Sequence, residues 1–309
     1  MKKVLLIGGA GFIGSHLAPL LIQHGHQVQI LGRSAMDRSN LLAPYHLQGN
    51  FQDEKLLERL VQEHDEVVSL AYATVPNTSF ADPLADLNQN LPPALRLMQL
   101  CVAKQKRLIL ISSGGTVYGQ STAKKIDETH PTHPISPYGI TKLTIEHYAY
   151  LFSISHGLKY VCIRPSNPYG VGQLPFRGQG FIATALGLIA QKKAVPIFGA
   201  SGTVRDYIAI TDLAKGILAA MNHGLSGEIY NIGSGVGRSN VKILEDLAPM
   251  VKQKGYEVTI EPLPARPFDV ASNVLDSSKL MNISGWKPEI AFQTGLQDLV
   301  DSVLSQHQS

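Results

Sequence analysis

The chain has 309 residues, 44% hydrophobic and 17% charged, which describes a globular protein long enough for one large α/β domain or a domain with a smaller partner. A net charge of +3 without any Lys/Arg run longer than two residues leaves no footprint for nucleic acid. The 11 histidines lack metal-ligand spacing, and the closest suggestive pair, His130 and His133, is flanked by Pro131 and Pro134 and reads as loop, so no metal is expected. Two cysteines, Cys101 and Cys162, cannot build a disulfide framework, which points to a reducing cytoplasm. Met1-Lys2-Lys3 before an apolar run superficially resembles a signal peptide, but a strand, a glycine loop and a helix explain more of the same residues. No apolar run approaches the length of a membrane span.

Val4 to Ile7 reads as a buried strand and runs straight into Gly8-Gly9-Ala10-Gly11-Phe12-Ile13-Gly14. Phe12 to Gln23 then carries a helical apolar pattern, with Pro19 predicting a kink or a shortened helix. In this setting the glycines let backbone approach a pyrophosphate, whose charge is met by amides at the helix N-terminus. Gly8, Gly11, Phe12, Ile13 and Gly14 are therefore candidate contacts of a dinucleotide, NAD or NADP. Val28 to Leu31 gives the second strand. Where an NAD site usually places a carboxylate on the ribose, the chain reads Gly32-Arg33-Ser34. Arg33 with Ser34 suits a 2′-phosphate and hence NADP; alternatively Arg33 is solvated and Asp37 swings in to serve the ribose.

Val67 to Ala71 forms another strand, and the loop from Tyr72 to Pro76 is expected to pass over the nicotinamide side, with Ala71 touching cofactor. Asp82 to Lys104 looks helical apart from Pro92-Pro93. Interior prolines cost about 3 kcal/mol each, so a restart capped by Asn90 is predicted there. Leu108 to Ile111 and Tyr160 to Ile163 are further strands. The alternation predicts an α/β fold with a doubly wound parallel (Rossmann) sheet over residues 1–165 and a smaller substrate-binding region over 166–309. Within that second part, 204–208 and 227–233 are strands that could rejoin the main body.

Between strand 108–111 and the next lies the stretch that carries chemistry, from Ser112-Ser113-Gly114-Gly115-Thr116-Val117-Tyr118-Gly119 to Tyr138-Gly139-Ile140-Thr141-Lys142. Ser136 can cap a helix whose first position is Pro137. Tyr138 and Lys142 then share one helical face. A nearby ammonium favours phenolate and is expected to lower the tyrosine below its free value of about 10. A phenol so tuned can act as general base on a sugar hydroxyl.

Together, the Gly-Gly-Ala-Gly-Phe-Ile-Gly turn, the Tyr138/Lys142 pair, Arg164-Pro165-Ser166-Asn167-Pro168-Tyr169-Gly170, Arg205-Asp206-Tyr207-Ile208 and Tyr230-Asn231-Ile232-Gly233 resemble the extended short-chain dehydrogenase/reductases, in their nucleotide-sugar epimerase branch. The resemblance covers almost the whole chain. It implies that Tyr138 is the catalytic base and that Lys142 holds the nicotinamide ribose. It also implies that Asn167, Arg205 and Arg266 contact the nucleotide diphosphate, while Asp269 binds the nucleotide or orders an arginine. The family's catalytic Ser/Thr position is Gly114 here, so either Ser113 or Thr116 supplies the hydroxyl, Thr116 being preferred, or turnover is slow. Gly115 and Thr116 replace the Asp-Glu pair of the dehydratase branch, which argues against 4,6-dehydration. The implied activity is 4-epimerisation of a UDP-hexose or UDP-N-acetylhexosamine, with Asn273 at the gate that a bulkier residue would close to N-acetyl groups. The alternatives are an NADPH-dependent reductase of a nucleotide 4-keto-6-deoxy sugar and a non-catalytic dinucleotide sensor. A homodimer through helices 83–104 and 137–155 is also implied, with Leu84, Leu95, Leu143 and Tyr148 either on the outer faces or in the core, as is surface-polysaccharide precursor synthesis.

Overall fold

Strands that a parallel sheet buries on both faces read as continuous apolar runs, and the chain's first half is built from them. The computed structural model describes residues 1–266 and 269–305. In order come β1 (Lys3–Ile7), α1 (Phe12–Gln23), β2 (Gln27–Gly32), β3 (His46–Gln48), α2 (Glu54–Glu63), β4 (Glu66–Ser69), α3 (Pro76–Ala81), α4 (Pro83–Ala103), β5 (Arg107–Ile111), α5 (Pro137–His156) and β6 (Tyr160–Pro165). Beyond β6 lie β7 (Asn167–Tyr169), α6 (Phe181–Ala190), β8 (Val195–Phe198), β9 (Val204–Ala209), α7 (Ile210–His223), β10 (Glu228–Ile232), β11 (Gly237–Ser239), α8 (Asn240–Gln253), β12 (Ile260–Leu263), β13 (Ser272–Asn273), α9 (Ser278–Ser284) and α10 (Phe292–Ser305).

Seven strands pair in the order β10-β6-β5-β4-β1-β2-β3, all parallel. One face buries Leu6, Ile30, Ile109 and Ile163 against α1 and α7; the other buries Leu5, Val67, Leu108 and Cys162 against α2, α4 and α5. This is the doubly wound Rossmann arrangement. Strand order reverses between β1 and β4, and the crevice at such a reversal, beyond the strands' C-terminal ends, is where ligands bind. β10 comes from the second half of the chain yet closes one sheet edge. β9, by contrast, centres a separate small sheet with β7, β11 and β13, packed on α6, α8 and α10. Asp206 in β9, fully buried, accepts from the Ser234 and Gly235 amides at 2.8 and 3.0 Å and from the Leu275 amide at 3.2 Å, which ties the small sheet to the end of β10.

Three sequence expectations are corrected. α1 is not shortened at Pro19, which lies inside the helix and is exposed, so water can take the carbonyl that the missing N–H leaves. α4 likewise continues through Pro92-Pro93 for 21 residues. Its cap is Asp82, accepting from the Ala85 amide at 2.9 Å, whereas Asn90 is buried mid-helix and accepts from the Ala73 amide at 2.7 Å. Packing of the helix on the sheet outweighs the proline penalty. Finally, Leu95, Leu143 and Tyr148 pack inward; among the described residues the exposed apolar side chains on these two helices are Leu84 and Leu87 of α4 and Ile140, Tyr150, Leu151 and Ile154 of α5.

Candidate active site

A cleft of about 500 Å³ opens over the sheet's C-terminal edge. One wall is the turn after β1. Gly8 has φ of +81°, and a Cβ there would lie 2.7 Å from the Ala71 amide nitrogen; a Cβ on Gly14 would lie 2.3 Å from the Gly9 carbonyl oxygen. Only glycine lets this turn sit so close to its neighbours. Gly11 caps α1 without a side-chain hydrogen bond, so the first-turn amides stay available to an anion. Gly8, Gly11, Phe12, Ile13 and Gly14 all line the cleft. The turn thus fits a dinucleotide's diphosphate. Ala71 packs behind Gly8 and lies outside this cleft's lining, and Arg33 and Ser34 stand exposed past β2, also outside it. Asp37 is engaged locally, accepting from the Ser39 amide and hydroxyl at 2.8 Å each, so it does not swing toward a ribose.

The opposite wall is the N-terminus of α5. Ser136 accepts from the Gly139 amide at 3.1 Å and Pro137 takes the first helical position. Ser79 of α3 accepts from the Tyr138 amide at 3.1 Å, which fixes where the phenol starts. Tyr138 stacks edge-on against Tyr72, ring centroids 4.8 Å apart. Lys142 is buried; its ammonium donates to the Ile111 carbonyl oxygen at 2.9 Å and sits 4.0 Å above the Tyr72 ring. Burial pushes this ammonium down to about 8, against the opposing pull of Cys162, Glu146 and Asp86.

Burial, with Asp86 adding to it, pushes the Tyr138 phenol well above the ordinary range, and a hydrogen bond with the Ser113 side chain acts in the opposite direction. Two expectations change here. The phenol is raised rather than lowered, Lys142 being turned toward β5 and Tyr72 with its nitrogen 5.7 Å from the Tyr138 ring centroid. Of the two candidate hydroxyls, Ser113 rather than Thr116 is the one whose side chain opposes that rise. Thr116 lines the cleft, but its Oγ1 is buried without a hydrogen-bond partner among the described residues. Gly114 has a steric reason: a Cβ there would meet the Leu275 side chain at 2.5 Å and the Arg164 carbonyl oxygen at 3.0 Å.

The far end of the cleft carries the cations. Arg205 on β9 lines it beside Tyr207, held by donation to the Val204 carbonyl oxygen at 2.8 Å, and burial lowers its guanidinium. The Arg266 guanidinium stacks 3.6 Å from the Phe198 ring centroid and pairs with Asp269 at 3.3 Å. Both arginines, Asn167 and Asp269 line the cleft, which is continuous with a recess of about 450 Å³ between α6, β8 and Arg266. Asn273 is not in the lining. It is buried in β13 and donates from Nδ2 to the Gly114 carbonyl oxygen at 3.0 Å, so it does not face a sugar as a gate would. Among the described residues no group of His, Cys, Asp and Glu could hold a metal, and no helix is long and apolar enough to cross a membrane.

Sequence reading missed the layer beneath. Glu146, one turn past Lys142, binds buried Arg164 at 2.5 Å and accepts from the Ser112 hydroxyl. Asp86, fully buried on α4, accepts from the Thr74 hydroxyl. The Lys142/Glu146 spacing of four residues was the available signal; Asp86 offered none.

A glycine turn for a diphosphate and a phenol beside a buried lysine define a dehydrogenase-type site. Residues 4–233 match the NAD dependent epimerase/dehydratase family. A UDP-glucose 4-epimerase of Halalkalibacterium halodurans is 30% identical over 308 residues, covering 93% of this chain and 90% of its own. The structure of a Thermus thermophilus UDP-glucose 4-epimerase in complex with NAD superposes with a TM-score of 0.89 at 32% identity, over 97% of this chain and 98% of that one. A UDP-N-acetylglucosamine 4-epimerase from Methanobrevibacter ruminantium M1 does so with a TM-score of 0.87 at 26% identity, over 99% of each. The chain belongs to the NAD dependent epimerase/dehydratase family, as a nucleotide-sugar epimerase of the extended short-chain dehydrogenase/reductase type.

Proposed function

We propose that the protein inverts C4 of a UDP-hexose or UDP-N-acetylhexosamine by transient oxidation, keeping its NAD bound throughout. The observation that carries this reading is the convergence of Tyr138, Ser113 and Lys142 on the cleft walled by the glycine turn. NAD, when bound, supplies a reversible hydride acceptor for C4. Tyr138 takes the proton of the 4-hydroxyl as hydride leaves C4, and returns it when hydride comes back to the other face of the sugar. Ser113 steadies the phenolate and orients the hydroxyl. Lys142, held by the Ile111 carbonyl oxygen at the floor of the cleft, would hold the nicotinamide ribose. The keto sugar has to turn between the two hydride transfers, so binding energy belongs on the nucleotide diphosphate, where Arg205, Arg266 and Asn167 hold it and Asp269 orders Arg266. Gly115 brings no side chain to the cleft lining and Asn273 is withdrawn, which supports room for an N-acetyl group.

The exposed leucine and isoleucine side chains of α4 and α5 support a homodimer through those helices. Two buried, unpaired cysteines support a cytoplasmic home. Incubation with UDP-glucose and with UDP-N-acetylglucosamine, without added reductant, is expected to yield the C4 epimers by chromatography. No epimer of either sugar, with NADPH consumed on a nucleotide 4-keto-6-deoxy sugar, would replace this reading by the reductase.

A further inference from the structure

Tyr72 lies in the loop between β4 and α3 and lines the cleft. α4 grips this loop from behind. Asn90 accepts from the Ala73 amide at 2.7 Å and donates to the Thr74 hydroxyl at 3.3 Å. The Thr74 hydroxyl in turn donates to the carboxylate of Asp86, one helical turn before Asn90. Both α4 side chains are buried, Asp86 fully, and hydrogen bonds shielded from water hold the loop firmly. The residue so fixed presents its ring to both Lys142 and Tyr138. The Lys142 ammonium stands 4.0 Å from the Tyr72 ring centroid, and the Tyr138 ring meets Tyr72 at 4.8 Å with 65° between the planes. Burial pushes the Tyr72 phenol well above the ordinary range, with Asp86 and Tyr138 adding to it, so the ring faces the ammonium as a neutral phenol.

We propose that Tyr72 is a positioning residue for epimerisation: its ring face keeps the Lys142 ammonium charged at the floor of the cleft, and its contact with Tyr138 sets the direction of that phenol. An aromatic face attracts a desolvated cation without carrying a charge of its own, so the ammonium keeps its positive charge to offer an incoming ribose. The other groups facing Lys142 are Cys162 of β6, a thiol that burial pushes up, Glu146 of α5, which is paired with Arg164, Asp86 of α4 and the Tyr138 phenol. Burial outweighs them and holds the ammonium down at about 8. The ring face is thus the contact that a substitution removes without deleting a charge. The inference deepens the epimerase reading, and its kinetic effects rest on that reading.

The test compares Tyr72→Phe, which keeps the ring face, with Tyr72→Leu, which removes it. In the full chain freed of nucleotide, the lowered Lys142 makes stability rise with pH from about 8 upward, because the folded state binds fewer protons there than the unfolded chain. Without the ring the charged form is less favoured. Urea denaturation of Tyr72→Leu should therefore show this rise beginning about 0.5–1.5 lower in pH, with Tyr72→Phe following the wild type. The same onset in both variants and the wild type overturns the proposal, as does an equal displacement in Tyr72→Phe, which would give the effect to the hydroxyl. Tyr72→Met, which fills more of the ring's volume without a π face, answers the same question where the leucine variant does not fold. In epimerisation assays Tyr72→Leu is expected to lower kcat about tenfold or more by misplacing Tyr138. The KM for the UDP-sugar, held through its diphosphate, should change by less than about threefold, and Tyr72→Phe should recover most of the loss in kcat. A rise in KM with kcat unchanged overturns the role at Tyr138. The denaturation experiment needs neither cofactor nor sugar, so failure of this inference is distinguishable from failure of the epimerase reading.

Discussion

The ammonium of Lys142 donates to the carbonyl oxygen of Ile111 at 2.9 Å, pinning the first turns of α5 to the end of the central strand β5. A charge is thus buried at the point where the sheet meets the cleft. Burial depresses its folded-state value to about 8, below the ordinary lysine value of 10.5. The folded nucleotide-free protein therefore binds fewer protons than the unfolded chain between those two values, and stability rises with pH across that window. Below about 8 both states hold the proton and the penalty of burying the charge is present in full. Lys142→Met should thus make the nucleotide-free protein more stable at pH 7, by about 1–2 kcal/mol after the lost hydrogen bond is counted, while abolishing epimerisation. Urea denaturation at pH 7 and at pH 10 checks this, with the advantage of the variant shrinking at the higher pH.

Glu146 lies one turn further along α5, where both carboxylate oxygens meet Arg164 Nε at 3.1 Å. Each member of this pair is about 4% exposed, so removing one strands the other's charge in the interior. Glu146→Ala is expected to cost about 3–5 kcal/mol, read as a drop in the urea midpoint. A loss below 1 kcal/mol would mean that water or another group already compensates Arg164.

Much of this site is legible in the sequence because it rests on local spacing. Gly8 to Gly14 following an apolar strand, Ser136-Pro137 opening a helix and Tyr138 four residues before Lys142 are short-range patterns that fix their own geometry. The central sheet is legible for the same reason, its strands being uninterrupted apolar runs. What escapes depends on contacts distant in sequence. Pro92-Pro93 break a helix by local propensity, yet α4 is held by the sheet it covers. Asn90 reads as a cap and instead anchors the Ala73 amide. Asn273 reads as a gate, but its carboxamide is drawn to Gly114, 159 residues away in sequence. Lys142 points toward Tyr138 on a helical wheel, and only the position of the Ile111 carbonyl reveals the turn of its side chain.

Tyr138 lines the cleft together with Ser113, and its pKa is raised by burial and by Asp86. Replacing it by phenylalanine removes the proton acceptor while keeping the ring contact with Tyr72. Tyr138→Phe is expected to lower turnover by about 10²–10⁴-fold with nucleotide binding unchanged. Retention of more than a few per cent of activity would require another base.

The two candidate hydroxyls make a matched comparison. Ser113→Ala removes the group bonded to the phenol and is expected to lower kcat by about 10²-fold, with the pH needed for half-maximal activity moving upward because the phenolate loses its donor. Thr116→Ala removes a hydroxyl that has no partner among the described residues and should change kcat by less than about threefold. The reverse order of effects in parallel pH–rate profiles would return the role to Thr116.

Gly114 provides the last test, because the resemblance to nucleotide-sugar epimerases leads one to expect a hydroxyl there. Restoring a hydroxyl by Gly114→Ser looks conservative in sequence. In the structure the added Cβ meets Leu275 Cδ1 at 2.5 Å and the backbone oxygens of Arg164 and Pro165 at 3.0 and 3.1 Å. A leucine tip can move; the two carbonyls belong to the end of β6 and cannot move without shifting the strand. Gly114→Ser should therefore cost about 1–3 kcal/mol, measured by urea denaturation, without raising kcat. Adding Leu275→Val should recover less than half of that loss, since the shorter side chain relieves the first contact and leaves the carbonyl contacts in place. Full recovery in the double variant would mean that Leu275 alone keeps a side chain out of position 114.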